Sequence, residues 1–307
     1  MNNVSVKVSV IIPTYRRQKE YLIRAINSVL GQTYDNIEVI VVDDNHADSE
    51  YRNIVQSVMT LFEDNSSVIY IKNAKNMGGE LARNEGINAS SGDFITFLDD
   101  DDKYLPDKVS NQVHFMLEKQ CDMCFTNLKI FNENDVIVDY REHKELNDFS
   151  KEALLKYHLM KHLTGTPTFM YRADKLKQIG GFDDVPVGQE FYLMIKSIEQ
   201  DLHIDYLKTC DVIAYRHGDG GISFGQKKIN GEKKLFEFKK KYFDKLSLRE
   251  RMYVRFRHQA VLTVSHLRNK HYILAAVSSV KALLISPYDF FYEVLNFTKK
   301  VSEQRGT

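Results

Sequence analysis

Four consecutive carboxylates, Asp99, Asp100, Asp101 and Asp102, follow directly on the apolar run 94–98, Phe-Ile-Thr-Phe-Leu. That run has the length and the β-branched, aromatic composition of a buried strand. Like charges crowded at a strand's end raise one another's pKa, and a fold tolerates them when a cation sits among them. An all-oxygen set suits a hard divalent cation. A short Asp run elsewhere is an ordinary solvated acidic loop. Position favours the ligand reading, because open α/β sheets bind ligands at the carboxyl ends of their strands.

The elements that would present this run alternate. Residues 8–12 read as a buried strand ending in Pro13-Thr14-Tyr15-Arg16-Arg17, and residues 21–30 as a helix closed by Gly31. Strands are expected at 37–42 and 67–71, helices at 54–62 and 81–89, the last after the Asn76-Met77-Gly78-Gly79 turn. Strands and helices alternating at this spacing predict crossover units and a mainly parallel sheet. Three of its strands end in polar clusters: Pro13-Thr14, Asp43-Asp44 and the Asp run. No Gly-x-Gly-x-x-Gly follows the first strand and no Gly-x-x-x-x-Gly-Lys-Ser/Thr occurs, which excludes the usual dehydrogenase and P-loop cradles. A sheet that binds a nucleotide diphosphate without such a cradle needs another way to neutralise phosphate, and a metal on the Asp run would supply it.

Val8-Ser-Val-Ile-Ile-Pro-Thr-Tyr-Arg16, Val41-Val-Asp-Asp44, Asn76 with Leu81-Ala-Arg-Asn-Glu-Gly86, and Phe97-Leu-Asp-Asp-Asp-Asp102 together resemble glycosyltransferase family 2. The four motifs, in order, cover roughly the first hundred residues. The resemblance implies a GT-A fold and an inverting transfer of a sugar from a nucleotide donor, usually a UDP-sugar, with Mn²⁺ or Mg²⁺. Carried over by position, Pro13, Thr14 and Tyr15 would line the uridine pocket. Asp44 would accept from the uracil ring, and Arg83 would reach the base or the diphosphate. The family's Asp-x-Asp falls on Asp99, near the ribose, and Asp101, on the metal. Its register is open by one, which keeps Asp100 and Asp102 as substitutes. Taken singly, Asp44 is equally a cap for the following helix, Arg83 a surface ion-pair partner and Tyr15 a core residue with its hydroxyl at the rim.

A second chemical centre follows Gly180-Gly181-Phe182-Asp183. Here the family carries an acidic pair opening a helix, whose second member is the general base. This chain has Gln189-Glu190, so the resemblance makes Glu190 the base, one methylene longer than the usual Asp. A helix N-terminus keeps such a carboxylate ionised. Without the family pattern it would be an ordinary first-turn acid. In related enzymes a histidine near the loop 216–223 approaches the metal or diphosphate, which makes His217 the metal-side candidate and the alternative a solvent-facing loop histidine.

The remaining patterns are quieter. Cys121-x-x-Cys124 lies at an expected strand with no second pair, which argues against a metal or redox role. His158 and His162 have zinc-like spacing on a helix but no third ligand in sequence. Residues 132–148 read as a surface excursion near the acceptor, with a short strand at 136–138. The 307-residue chain carries 42 Lys and Arg against 42 Asp and Glu, yet 18 basic and 7 acidic residues follow Gly225. That asymmetry divides it into an expected catalytic domain, 1–225 (nucleotide-sugar binding 1–104, acceptor and base 105–225), and a basic helical region, 226–307. The basic helices suit either peripheral contact with an anionic membrane or plain packing with a solvated face. No nucleic-acid motif accompanies them. Three cysteines, no signal peptide and no run of about 18 apolar residues lead to the expectation of a cytoplasmic protein, peripheral at most at the inner membrane face.

The function expected is therefore transfer of a sugar from a UDP-sugar to a hydroxyl of a glycan, lipid-linked or protein-linked acceptor. Sugar-phosphate nucleotidyl transfer and non-catalytic nucleotide-sugar binding remain as alternatives. The first would want a Gly-rich basic loop after the first strand. The second draws on the Gln189 departure.

Overall fold

The structure, a computed structural model, describes residues 6–163, 165–185, 187–216 and 225–295. It divides into two compact units, 1–151 with 163–218, and 152–162 with 219–307.

The first unit opens with β1 (Val8–Thr14), α1 (Lys19–Leu30), β2 (Ile37–Asp43), α2 (Glu50–Thr60), β3 (Val68–Lys72), α3 (Gly79–Ala89) and β4 (Phe94–Phe97). Short β5 (Lys103–Tyr104), α4 (Lys108–Lys119), β6 (Met123–Thr126), β7 (Leu128–Asn132) and β8 (Ile137–Arg141) follow. After α5 (Lys151–Lys161), which crosses into the second unit, come β9 (Met170–Arg172), α6 (Ala173–Gln178), α7 (Gln189–Glu199), β10 (Ile204–Leu207) and β11 (Val212–Arg216).

Seven strands form the main sheet in the order β10-β6-β9-β4-β1-β2-β3. The pairs β4-β1, β1-β2, β2-β3 and β10-β6 are parallel, and only β9 runs against its neighbours. This is the mainly parallel α/β sheet that the alternation predicts. Val8, Val10, Ile11 and Ile12 have no exposed surface, as expected of a strand covered on both faces. Leu22, Ala25, Ile26 and Val29, spaced at helical intervals, turn one face of α1 into the same core.

A second sheet, β5-β11-β7-β8, is not foreseen by the sequence apart from β11 and part of β8. Residues 132–148 are therefore less of an excursion than expected, because β7 and β8 pair antiparallel within that sheet. The two-residue β5 and the half-exposed β8 are too short or too polar to announce themselves by alternation.

The second unit holds most of α5 with α8 (Gly225–Lys240), α9 (Leu248–Arg268), α10 (Tyr272–Ile285) and α11 (Pro287–Leu295). A Ser247/Glu250 capping box opens α9. His162 lies past the end of α5 in a left-handed conformation and takes a hydrogen bond from the buried Lys239 at 2.5 Å. The spacing that suggested two zinc ligands on one helix thus serves a buried lysine–imidazole contact. Cys121 and Cys124 are buried free thiols, and burial pushes Cys121 up to about 12.

Candidate active site

The carboxyl ends of β4, β1 and β2 lie side by side. Thr14 is the register partner of Asp43, and Leu98 N donates to Ile11 O at 3.0 Å. Parallel pairing therefore places the Asp run, residues 13–17 and residues 43–45 along one edge.

Asp44 is the brace of that edge. Its carboxylate accepts from Asn73 Nδ2 (2.8 Å), Asn76 Nδ2 (2.9 Å), Met77 N (2.9 Å) and Gly78 N (2.9 Å). Gly78 has φ +100°, a conformation a side chain would strain, and it is the N-cap of α3. Asp44 thus fixes the start of the helix that carries Arg83. It does not cap α2, whose first N–H groups are served by Ser49. A uracil N–H at Asp44 would share oxygens already engaged by the 73–78 turn.

Near Asp44, Thr14 is buried, Pro13 is half-buried and Tyr15 is exposed with the Arg16 guanidinium 5.2 Å from its ring. Arg16 itself is left-handed (φ 49°), held by its N–H donating to Asn45 Oδ1 at 2.8 Å.

The Asp run is neutralised by arginine. Arg17 Nε donates to Asp100 Oδ1 at 2.8 Å and its Nη2 lies 2.9 Å from Asp101 Oδ2. Arg83 pairs with Asp99, and Arg24 donates to the Asp101 carbonyl. Asp102 Oδ1 accepts from Tyr215 N at 2.9 Å. Guanidinium groups thus supply part of the positive charge at the run, a contribution the sequence reading did not assign. Neutralisation is incomplete, however. Burial, opposed by Arg17 and reinforced by Asp101, pushes Asp100 up to about 7. Asp102 is raised well above the carboxylate range by burial and by the charges of Asp99 and Asp101.

Asp100 Oδ2 is buried and has no well-formed hydrogen bond among the described residues, the Thr14 hydroxyl being the donor close enough to lower the Asp100 pKa. This under-satisfied acceptor, beside Asp101, fits a hard cation. Among the described residues no group of three or more His, Cys, Asp or Glu is arranged to hold a metal ion. Such a site matches the way Mg²⁺-type ions bind, with one or two protein carboxylates while substrate phosphate and water complete the shell. His217 lies outside the described residues.

Arg83 connects the two chemical centres. Helix α3 approaches β1 so closely at Gly86 that a Cβ there would overlap Ile11, and Arg83, three residues earlier on the same helix, is buried. One guanidinium nitrogen reaches Asp99, and the other, Nη1, donates to Gln189 Oε1 at 3.0 Å. Gln189 Nε2 in turn donates to Glu80 Oε2 at 2.5 Å. Glu80 is buried, and burial raises its pKa. Gln189 opens α7 behind the left-handed Gly188 (φ 78°), and Glu190 is the next residue. The Glu190 side chain is half-buried, with no hydrogen-bond or ion-pair partner among the described residues.

Of the expected site residues, the structure brings Pro13, Thr14, Tyr15, Asp44, Asp99, Asp100 and Asp101 to one edge, and Arg83 ties that edge to the helix of Glu190. Sequence reasoning gave no role to Arg17, Arg24, Glu80 or Gln189. The available signal was Arg16-Arg17 immediately after a strand end that faces an acidic run.

A mainly parallel α/β sheet of this order, with helices on it, has the GT-A fold. The structure superposes on the crystal structure of S. aureus TarS 1–349 in complex with UDP-GlcNAc with a TM-score of 0.58 over 91% of each chain, at 18% identity. The Glycosyl transferase family 2 profile matches residues 9–180, more than half of the chain, and the chain belongs to that family. It is 27% identical over 203 residues to the uncharacterized glycosyltransferase MJ1057 of Methanocaldococcus jannaschii, covering 66% of this chain and 68% of that one. It is 34% identical over 152 residues to the Escherichia coli UDP-Glc:alpha-D-GlcNAc-diphosphoundecaprenol beta-1,3-glucosyltransferase WfaP, covering 49% of this chain and 56% of the relative.

Proposed function

We propose that the chain transfers a sugar from a UDP-sugar, with inversion, to a hydroxyl of a lipid-linked glycan acceptor. The observation that carries this is the Asp99–Arg83–Gln189 connection, which joins the acidic strand end to the helix bearing Glu190, a carboxylate without a partner among the described residues. The UDP-sugar donor draws support from the name of WfaP and from the UDP-GlcNAc bound to TarS; the lipid-linked acceptor draws on WfaP alone.

In this reading Glu190 takes the proton of the acceptor hydroxyl as its oxygen bonds to the anomeric carbon. The bond from that carbon to the diphosphate oxygen breaks on the opposite face, and UDP leaves. Asp101, with Asp100 beside it, would hold Mn²⁺ or Mg²⁺, whose contribution is to offset charge on the leaving diphosphate. Arg17 and Arg83, already at the run, hold its carboxylates apart and aim them. Pro13, Thr14 and Tyr15 form the wall for the nucleoside, and Asp99 lies on the ribose side.

Glu190→Gln tests the assignment. Donor binding should persist while kcat falls about 10²- to 10⁴-fold, the range of general-base loss. Unchanged turnover would remove Glu190 from the reaction. Screening UDP-, GDP- and dTDP-sugars for Mn²⁺-dependent binding tests the donor, and failure of every UDP-sugar to bind would sink that part.

A further inference from the structure

The second unit carries a helix packed inside out. The residues of α10 that face the protein are small: Ala275, Ser278 and Ala282 are buried, at helical spacing, and α10 packs on α9. Its large apolar residues face outward, with Ile273 81% and Leu284 77% exposed, and the apolar surface continues over α11, where Tyr288 is 70% exposed and Phe291 and Leu295 are also bare. A helix that meets only water has the reverse arrangement. Small residues turned inward and large ones turned outward are the pattern of helices whose surroundings are hydrocarbon.

Charge identifies which apolar partner fits. From 269 to 288 the chain has no Asp or Glu, while Lys270 and Lys281 are exposed and without an ion-pair partner among the described residues. The two acids beyond are turned to local partners: Asp289 accepts from Ser286 Oγ at 2.6 Å, and Glu293 lies 3.3 Å from Arg257 Nη1 of α9. Tyr272, Tyr288 and Tyr292 punctuate the face with rings that suit the headgroup level. An apolar face with free lysines and tyrosines matches an anionic bilayer surface, whereas a second copy would bring like charges together.

Geometry sets the mode of contact. Among the described residues no single helix is long and apolar enough to cross a membrane. The 14 residues of α10 extend about 21 Å, short of a hydrocarbon core of about 30 Å. The α10–α11 pair turns by 118° at Ser286. We infer that α10 and α11 form a monotopic anchor that lies in the interface of an anionic membrane. The attachment is made by the apolar face of these two helices, with Lys270 and Lys281 on the headgroups, and not by the strongly basic α8. This inference does not depend on the donor or the acceptor.

Flotation with phosphatidylcholine vesicles containing about one third phosphatidylglycerol tests it on the full chain. The chain has no tryptophan, so Tyr288→Trp supplies a single reporter. Wild-type protein should float with the vesicles, and the reporter should be quenched by brominated lipid. The exposed pair Ile273→Glu/Leu284→Glu should lower the partition coefficient at least tenfold with an unchanged circular dichroism spectrum. Absence of flotation overturns the inference, as does binding that the double variant leaves intact. A wild-type mass of two chains by light scattering, reduced to one in the double variant without vesicle uptake by either, would assign the face to self-association instead.

Discussion

Arg83 and Gln189 are 106 positions apart in the chain, yet Arg83 Nη1 donates to Gln189 Oε1 at 3.0 Å. The contact uses both ends of the amide: the oxygen receives the guanidinium, and the nitrogen donates to Glu80. A neutral amide is the group that can face a cation and a carboxylate at once.

Gln189→Glu should therefore be costly although it restores the acidic pair usual in the family. A carboxylate there would meet Glu80 as a like charge and raise its pKa further. The expected loss is about 1–3 kcal/mol, the range for leaving a buried acceptor without its donor. Chemical denaturation at neutral pH measures it. A double Gln189→Glu/Glu80→Gln variant should recover most of the stability, and no recovery would show that the two side chains do not act as a pair.

Arg83→Ala should lower kcat/KM about 100-fold or more while the first unit stays folded. It removes the partner of Asp99 and the cation that Gln189 receives. Arg83→Lys should rescue little, because one ammonium cannot make the two divergent bonds of a planar fork. Donor titration by calorimetry separates the loss in binding from the loss in rate.

Asp44→Asn is predicted to act on the fold before it acts on the donor. The amide loses acceptor capacity at a site that receives four N–H groups. A loss of about 2–3 kcal/mol is expected, in line with hydrogen bonds to a charged acceptor. Hydrogen exchange should show the 73–78 turn opening first. A variant of normal stability with a raised KM for the donor would instead favour the uracil contact.

Much of this edge was legible in sequence, and the reason is local. Strands β1, β2 and β4 are short apolar runs stopped by polar residues, and their crossover helices leave one parallel solution. The Asp run and Arg83 were legible through family spacing. The contacts of Arg17, Gln189 and Glu80 were not, because each joins residues far apart in the chain through side chains whose types are common on any surface. Asp44 shows the limit most clearly: its spacing marked it, but only the turn at 73–78 reveals what its oxygens hold. The second sheet escaped because β5 has two residues and takes its place only through β11.

The acidic run should give the chain an unusual pH dependence when no divalent cation is bound. Asp100 binds its proton in the folded state up to about 7, whereas an unfolded Asp releases it near 4. Between those values the folded state holds more protons than the unfolded one, so stability falls as pH rises through that window. Below it both states are protonated, and above it both are ionised, so the slope vanishes outside. Asp102, displaced in the same direction, adds to the fall. Thermal melts in a chelating buffer from pH 4 to pH 8 should show this decline after correction for global charge effects in an Asp100→Asn control, whose curve should be flatter. Added Mn²⁺ should raise the melting temperature most at the upper end, where the carboxylates are free to bind it, and its uptake below pH 7 should release protons. A pH slope of the melting temperature that Asp100→Asn leaves unchanged would show that folding does not displace the titration of this carboxyl.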